Sequence, residues 1–209
     1  MKKDQWTVIK RVIQVSLFTA CTLFYAFPAL CENVSARLGV MVRSGDEVRR
    51  AKSKEHLTIG DMLRVYIMPG SHQHLYLVHS DTKIATLLLA ESTGLEKRLF
   101  TAPSAENFFQ VDGKSREERL TIICAMKPLP EIMELEKTGQ LPHTRWAEIE
   151  TQLKGRSTIQ LTQTPTKSIA LMGNLRSAGK HQKAPFADNL LKYSGSGLLL
   201  KTFRFTVDP

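Results

Sequence analysis

Cysteine is scarce in this chain and unevenly placed. Of the three present, Cys21 and Cys31 fall within the first 31 residues, so the remainder keeps only Cys124 and cannot close an internal disulfide. Cys124 sits among Ile122, Ile123 and Ala125, which predicts a buried, inert thiol, since a catalytic thiol needs an exposed, electropositive setting. Phosphate-cradling motifs are missing too: there is no P-loop lysine motif, and Gly173 and Gly179 are wrongly spaced for a dinucleotide loop. Ser194 and Ser196 lie in Ser-Gly-Ser-Gly without the Gly-x-Ser-x-Gly frame of a nucleophile elbow and read as a flexible turn. No Phe, Tyr or Trp occurs between Trp146 and Phe186, which argues against base stacking and so against single-stranded nucleic acid as a partner. These absences remove support for nucleotide hydrolysis and for acyl transfer.

What is present begins with an address. Lys2, Lys3, Lys10 and Arg11 against Asp4 make a positive start, and from Val12 to Leu30 only Gln14 is neither apolar nor small. Pro28 falls near the end, where a helix should stop ahead of Ala29-Leu30-Cys31, whose small residues suit a signal peptidase. Residues 1–31 are therefore expected to be a signal peptide cleaved before Glu32, with the rest exported to a periplasmic or extracellular location. The rival expectation is an uncleaved signal anchor over residues 12–30, since about 20 apolar residues span a bilayer as a helix. Leu17 to Cys21 faintly resembles a lipobox, but the apolar run continues well past Cys21.

The net charge of +9 divides unequally. Residues 1–31 contribute +3 (four basic, one acidic), residues 32–144 contribute zero (fifteen of each), and residues 145–209 contribute +6 (ten basic, four acidic). The basic C-terminal third, with Lys167, Arg176, Lys180, His181 and Lys183, is the candidate surface for an acidic partner. For an exported protein the natural acidic partners are anionic lipid headgroups, phosphate-bearing wall polymers or an envelope protein.

Along the chain, residues 32–55 form an N-terminal segment in which Leu38 to Val42 reads as a strand and Asp46 to Glu55 as a loop or short exposed helix. Residues 56–209 are expected to be one β-rich domain. In the run His56 to Met68, after a turn at Gly60-Asp61, Leu63, Val65 and Ile67 alternate with Met62, Arg64 and Tyr66, the two-residue period of a pleated sheet. Gln73 to His79 alternates likewise, after the turn cluster Pro69-Gly70-Ser71, and Ile84 to Ala90 follows a polar turn. These three segments predict an antiparallel meander with Tyr66 and Tyr76 as cross-strand neighbours. Glu91 to Glu106 reads as a long polar connection, and Leu120 to Cys124, apolar on both faces, as a central strand covered on both sides. Trp146, Ile149 and Leu153 recur at helical spacing and predict an amphipathic helix over 144–154, with a second over 131–137. Ser168 to Met172 is a further strand candidate, Asn174 to Ala184 reads as a mobile stretch, and Leu198 to Val207 as the last strand, with Leu200, Phe203 and Phe205 in the core. The fold class expected is mainly β, an antiparallel β-sandwich-like domain with one or two short helices.

The order of these motifs resembles a bacterial family catalogued as domain of unknown function 4384. The matching residues are Ile59 to Val65, Leu75-Tyr76-Leu77-Val78, Phe109-Gln110-Val111-Asp112-Gly113, Glu118 to Ile123 and the proline-marked Lys127 to Glu131, with Phe203 to Val207 consistent. The resemblance covers about 57–131 and implies a compact β-rich module of exported or surface-associated proteins, at times an accessory to a peptidase or kinase system, with no established catalytic residues. Leu87 to Glu91 lacks the proline-containing turn of the pattern.

The sharpest chemical feature is His72-Gln73-His74 with His79 and Asp81 behind it. Histidines two apart in a strand point the same way and can share a metal. No glutamate follows until Glu91, so a solvated, polar shoulder is the reading preferred over a metal-dependent enzyme. The carboxylates Glu117, Glu118, Glu131, Glu134 and Glu136 are read as surface charge rather than an acid–base pair, and Trp146 as the anchor of its helix. The sequence thus points to a binding domain without cofactor or catalytic residues.

Overall fold

The structure, a computed structural model, describes residues 33–70, 72–94, 98–163 and 189–208. Residues 1–31, expected to be an export segment, the strand expected at Ser168–Met172, the stretch 174–184 and the basic residues Lys167, Arg176, Lys180 and Lys183 lie outside them. Among the described residues the elements run β1 (Asn33–Ser44), β2 (Glu47–Arg50), β3 (Lys54–Thr58), β4 (Met62–Pro69), β5 (His74–Ser80), β6 (Ile84–Ser92), β7 (Phe100–Ala102), β8 (Phe109–Gln110) and β9 (Glu117–Ala125). A 3-10 turn (Pro130–Ile132) leads into α1 (Met133–Thr138), then β10 (Gln140–Pro142), α2 (His143–Arg156), β11 (Gln160–Gln163), β12 (Leu191–Ser196) and β13 (Leu198–Asp208).

These strands make two sheets, as the alternating patterns predicted. Sheet I runs β11-β12-β1-β4-β7, with β2 paired to β1 and β8 to β4; sheet II runs β10-β6-β5-β9-β13-β3. Every described pairing is antiparallel except that of β3 with β13.

Period-two patterning decides what each face buries. Leu38, Val40 and Val42 of β1 and Leu63, Val65 and Ile67 of β4 meet Leu75 and Leu77 of β5, Leu120, Ile122 and Cys124 of β9, and Phe203, Phe205 and Val207 of β13 in the core between the sheets. The other face of sheet II is apolar as well. Tyr76, Val78, Ile123, Leu198 and Leu200 form a second core with Leu135 of α1 and Trp146, Ile149 and Leu153 of α2. The strand Leu120 to Cys124 is thus covered on both sides, and Trp146 is the helix anchor, 1 % exposed. Leu200 proves to face the helices while Phe203 and Phe205 face sheet I.

Several expectations are corrected. The segments β4 and β5 do not form a hairpin, because β4 belongs to sheet I and β5 to sheet II. The Pro69-Gly70 corner carries the chain from one sheet to the other, so the meander reduces to β5 and β6, and Tyr66 and Tyr76 lie in separate clusters. Gly70 is required there by close approach: its N–H donates to the Ser35 carbonyl at 2.8 Å, and a Cβ would sit 2.9 Å from that oxygen. Asp46 to Glu55, expected as loop or helix, forms β2 and the start of β3. Its charges fit a strand because β2 lies beside β1 with Arg50 opposite Met41 and Val48 opposite Arg43. The connection 91–106 contains the end of β6 and the whole of β7. Ser194 and Ser196 are not a turn but strand residues, opposite Ser35 and Asn33 of β1. The turn is Gly197, whose φ of 69° suits a residue without a Cβ.

Candidate functional site

The outer face of sheet I gathers cations from four separate strands. Leu38, Val40 and Val42 point inward, so Arg37, Met41 and Arg43 of β1 point outward. By the same alternation Met62, Arg64, Tyr66 and Met68 of β4 share that face, and the cross-strand register brings Lys192 of β12 opposite Arg37 and Arg50 of β2 opposite Met41. One cross-strand row therefore reads Lys192, Arg37, Met68 and another Arg50, Met41, Arg64. No Asp or Glu of β1, β2, β4 or β12 projects from this face: Glu47 lies opposite Ser44, on the side of Val42.

A small apolar patch anchors the cations. Met41, Tyr66 and Leu190 are buried, with Val48, Met68, Leu99 and Phe108 packed on them. Phe108 holds two guanidinium groups, Arg64 at 3.7 Å and Arg43 at 4.3 Å from the ring centroid. Each distance is within cation–π range. Arg64 is fixed further, donating to the Asn107 carbonyl at 3.0 Å and to the Tyr66 hydroxyl at 3.4 Å. Arg50 donates to the Asn189 carbonyl at 3.0 Å. Among the described residues no carboxylate forms an ion pair with Arg37, Arg43, Arg50 or Arg64. Stacking uses the flat face of a guanidinium and leaves in-plane N–H donors, whose fork matches phosphate or carboxylate oxygens. Two like charges against one ring repel, and an anion between them relieves that repulsion.

The candidate residues of the basic surface expected in the C-terminal third, Lys167, Arg176, Lys180, His181 and Lys183, lie outside the described residues; of the other basic residues of that third, Lys192 joins the face. Lys201, also from it, points elsewhere: its Nζ donates to Ser53 Oγ at 2.6 Å and lies 5.3 Å and 5.5 Å from the Tyr193 and Phe203 rings. Burial pushes its ammonium group below the ordinary lysine range.

His72 and His74 are not presented by one strand. Strand geometry begins at His74, and His72 sits before it with Nδ1 3.0 Å from the Thr93 carbonyl. Gln73 between them is buried, its backbone N–H donating to Thr93 Oγ1 at 2.9 Å and its side-chain amide to the Ser35 carbonyl at 3.0 Å. Among the described residues no three His, Cys, Asp or Glu side chains are grouped to hold a metal ion. His79 instead meets Glu118 of β9, and Asp81 accepts from the backbone N–H groups of Lys83 and Ile84 at 2.6 and 2.8 Å. Burial raises the Asp81 carboxyl, but those N–H groups and the nearby His79 and Lys83 hold it below the usual range.

The carboxylate run does not converge. Glu131 pairs with Arg156, Glu134 with Arg145 at 3.2 Å, and Glu117 with Arg119 at 3.4 Å. Cys124 is fully buried in the core, where burial pushes its thiol up to about 12. The arginine face escaped sequence reasoning because its residues are spread from Arg37 to Lys192. Met62-Leu63-Arg64 and Met41-Val42-Arg43, charges on the outward step of a strand, were the available signal.

No helix among the described residues is long and apolar enough to cross a membrane. No protein-family model, curated protein or solved structure matches this chain.

Proposed function

We propose that this is an exported, non-catalytic cell-envelope domain that binds an acidic envelope component, a linear phosphate-bearing polymer, along the outer face of sheet I. The observation that carries the reading is the pair of guanidinium groups on Phe108 with no described carboxylate to neutralise them. The spread of charge favours an extended partner: Arg37 and Arg43 are six residues apart on one strand, roughly 20 Å. The export segment read from residues 1–31 supports the envelope location. The motif order, which resembles that of the domain of unknown function 4384 family, supports a non-catalytic module.

Sedimentation or calorimetry with poly(glycerol phosphate) tests the proposal, with phosphatidylglycerol and phosphatidylcholine vesicles alongside. Binding of the polymer should weaken with added salt, as exposed charges are screened. The Arg43→Gln, Arg64→Gln variant should bind at least about tenfold more weakly, given the worth of charge-assisted hydrogen bonds. Polymer binding that ignores both changes defeats the reading, and binding to phosphatidylglycerol vesicles alone moves it to a lipid surface.

A further inference from the structure

Between the two sheets, away from the arginine face, lies a cleft of about 210 Å³. Leu63 of β4, Leu88 of β6, Phe109 of β8 and Phe205 of β13 form apolar walls, and His79 and Glu118 stand together on the lining. The cleft is partly open to solvent, so a ligand can enter it from the surface. Dry apolar cavities of about 150 Å³ accept benzene, which scales this cleft to one six-membered ring with a short side chain.

The polar groups set the sign of the ligand. His79 Nε2 engages Glu118 Oε2, which leaves Oε1 of the carboxylate to accept from an incoming donor. The two side chains are 29 % and 20 % exposed, reachable from solvent yet partly desolvated, so a charge-assisted hydrogen bond there is stronger than in open water. The second carboxylate on the lining, Asp112, is committed to Lys114 at 2.7 Å. No lysine or arginine lines the cleft, and its one other basic side chain, His79, is already paired with Glu118.

We infer that this cleft is a binding site for a small arylalkyl or alkyl amine, its apolar body between Leu88, Phe109 and Phe205 and its ammonium group on Glu118. The site is separate from the arginine face, so either can fail without the other.

Calorimetric or NMR titration of the full chain with 2-phenylethylamine, 2-phenylethanol and 3-phenylpropionate tests it. The amine should bind at least about tenfold more tightly than the carboxylate of similar size, with chemical shifts changing at Leu88, Phe109 and Glu118. Glu118→Gln should erase the preference for the amine over the alcohol while leaving alcohol binding in place, which also shows that the variant is folded. Leu88→Phe should weaken all three ligands by narrowing the cleft. Equal affinity for amine and carboxylate, a reversed preference, or no binding of any of the three by the unaltered protein overturns the proposal.

Discussion

Glu150 of α2 and Thr202 of β13 are joined by a hydrogen bond of 2.9 Å across the layer where the helix meets sheet II. The same carboxylate oxygen accepts from Thr121 of β9 at 3.3 Å and lies 2.8 Å from Lys154 Nζ. Glu150 is only 4 % exposed, so this knot ties the helix to two neighbouring strands, adding directional contacts to the apolar packing of Trp146 and Leu153. Burial pushes the Glu150 carboxyl up, but the Lys154 partner and the two threonine hydroxyls outweigh it and hold the group below its ordinary value of 4.5. A carboxyl depressed in the folded state contributes stability that is complete above its unfolded pKa and is lost as pH falls through the folded one. Acid unfolding followed by circular dichroism should therefore begin at higher pH in Glu150→Gln than in the parent. At neutral pH the same variant should lose about 1–3 kcal/mol in a denaturant titration, the cost of removing a buried charged partner.

Cys124 stands on β9 opposite Leu75 on one side and Leu199 on the other. With its thiol buried and pushed up to about 12, almost no thiolate exists near neutral pH, and reagent access needs unfolding. In a variant carrying Cys21→Ser and Cys31→Ser, iodoacetamide labelling should be negligible in native buffer and rapid in denaturant. Fast native labelling would place Cys124 outside the core. Cys124→Ser should cost about 1–3 kcal/mol, since it puts a hydroxyl where no partner is arranged.

How much of this was legible depended on what alternation can encode. The inward set Leu63, Val65 and Ile67 and the doubly apolar run Leu120 to Cys124 could be read directly, because burial of one face or two leaves a period in the sequence. Alternation says which way a side chain points and nothing about which strand lies beside it. The change of sheet at Pro69-Gly70 therefore looked like a hairpin turn. Strand β12 was hidden for a different reason: Lys192-Tyr193-Ser194-Gly195-Ser196 has the composition of a turn, and its strand state comes from pairing with β1 and β11. The arginine face was masked by arithmetic. Residues 32–144 sum to zero charge, but folding sorts the signs, sending Arg37, Arg43, Arg50 and Arg64 to one face while Glu55, Glu117 and Glu118 pair with bases elsewhere.

The Gly70 corner gives a test of the sheet change. A Cβ at this position meets the backbone oxygen of Ser35 at 2.9 Å and crowds its hydroxyl. Overpacking against backbone cannot be relieved by a rotamer change, so Gly70→Ala should destabilise by about 1–3 kcal/mol. Adding Ser35→Ala removes the hydroxyl but not the carbonyl, and the double variant should recover only part of the loss. Full recovery in a thermal melt would mean that the backbone contact is not the constraint.

Phe108 separates two ways in which the arginine face could fail. Arg64→Gln removes a charge, so polymer affinity and its dependence on salt should both decrease, since the salt slope follows the number of neutralised phosphates. Phe108→Leu keeps every charge but takes away the ring that holds Arg43 and Arg64 in place. Each guanidinium–ring contact at such a site is worth about 0.5–1 kcal/mol, so this variant should lose about 1–2 kcal/mol of folding stability. Its affinity should fall severalfold while its salt slope stays at the parent value, because the loss is one of preorganisation rather than of charge. If Phe108→Leu leaves affinity unchanged, the ring merely covers Met41 and Tyr66, and the anion is held by charge density alone. If it flattens the salt slope as Arg64→Gln does, the guanidinium groups have swung away from the polymer, and their contact with it depends on the ring.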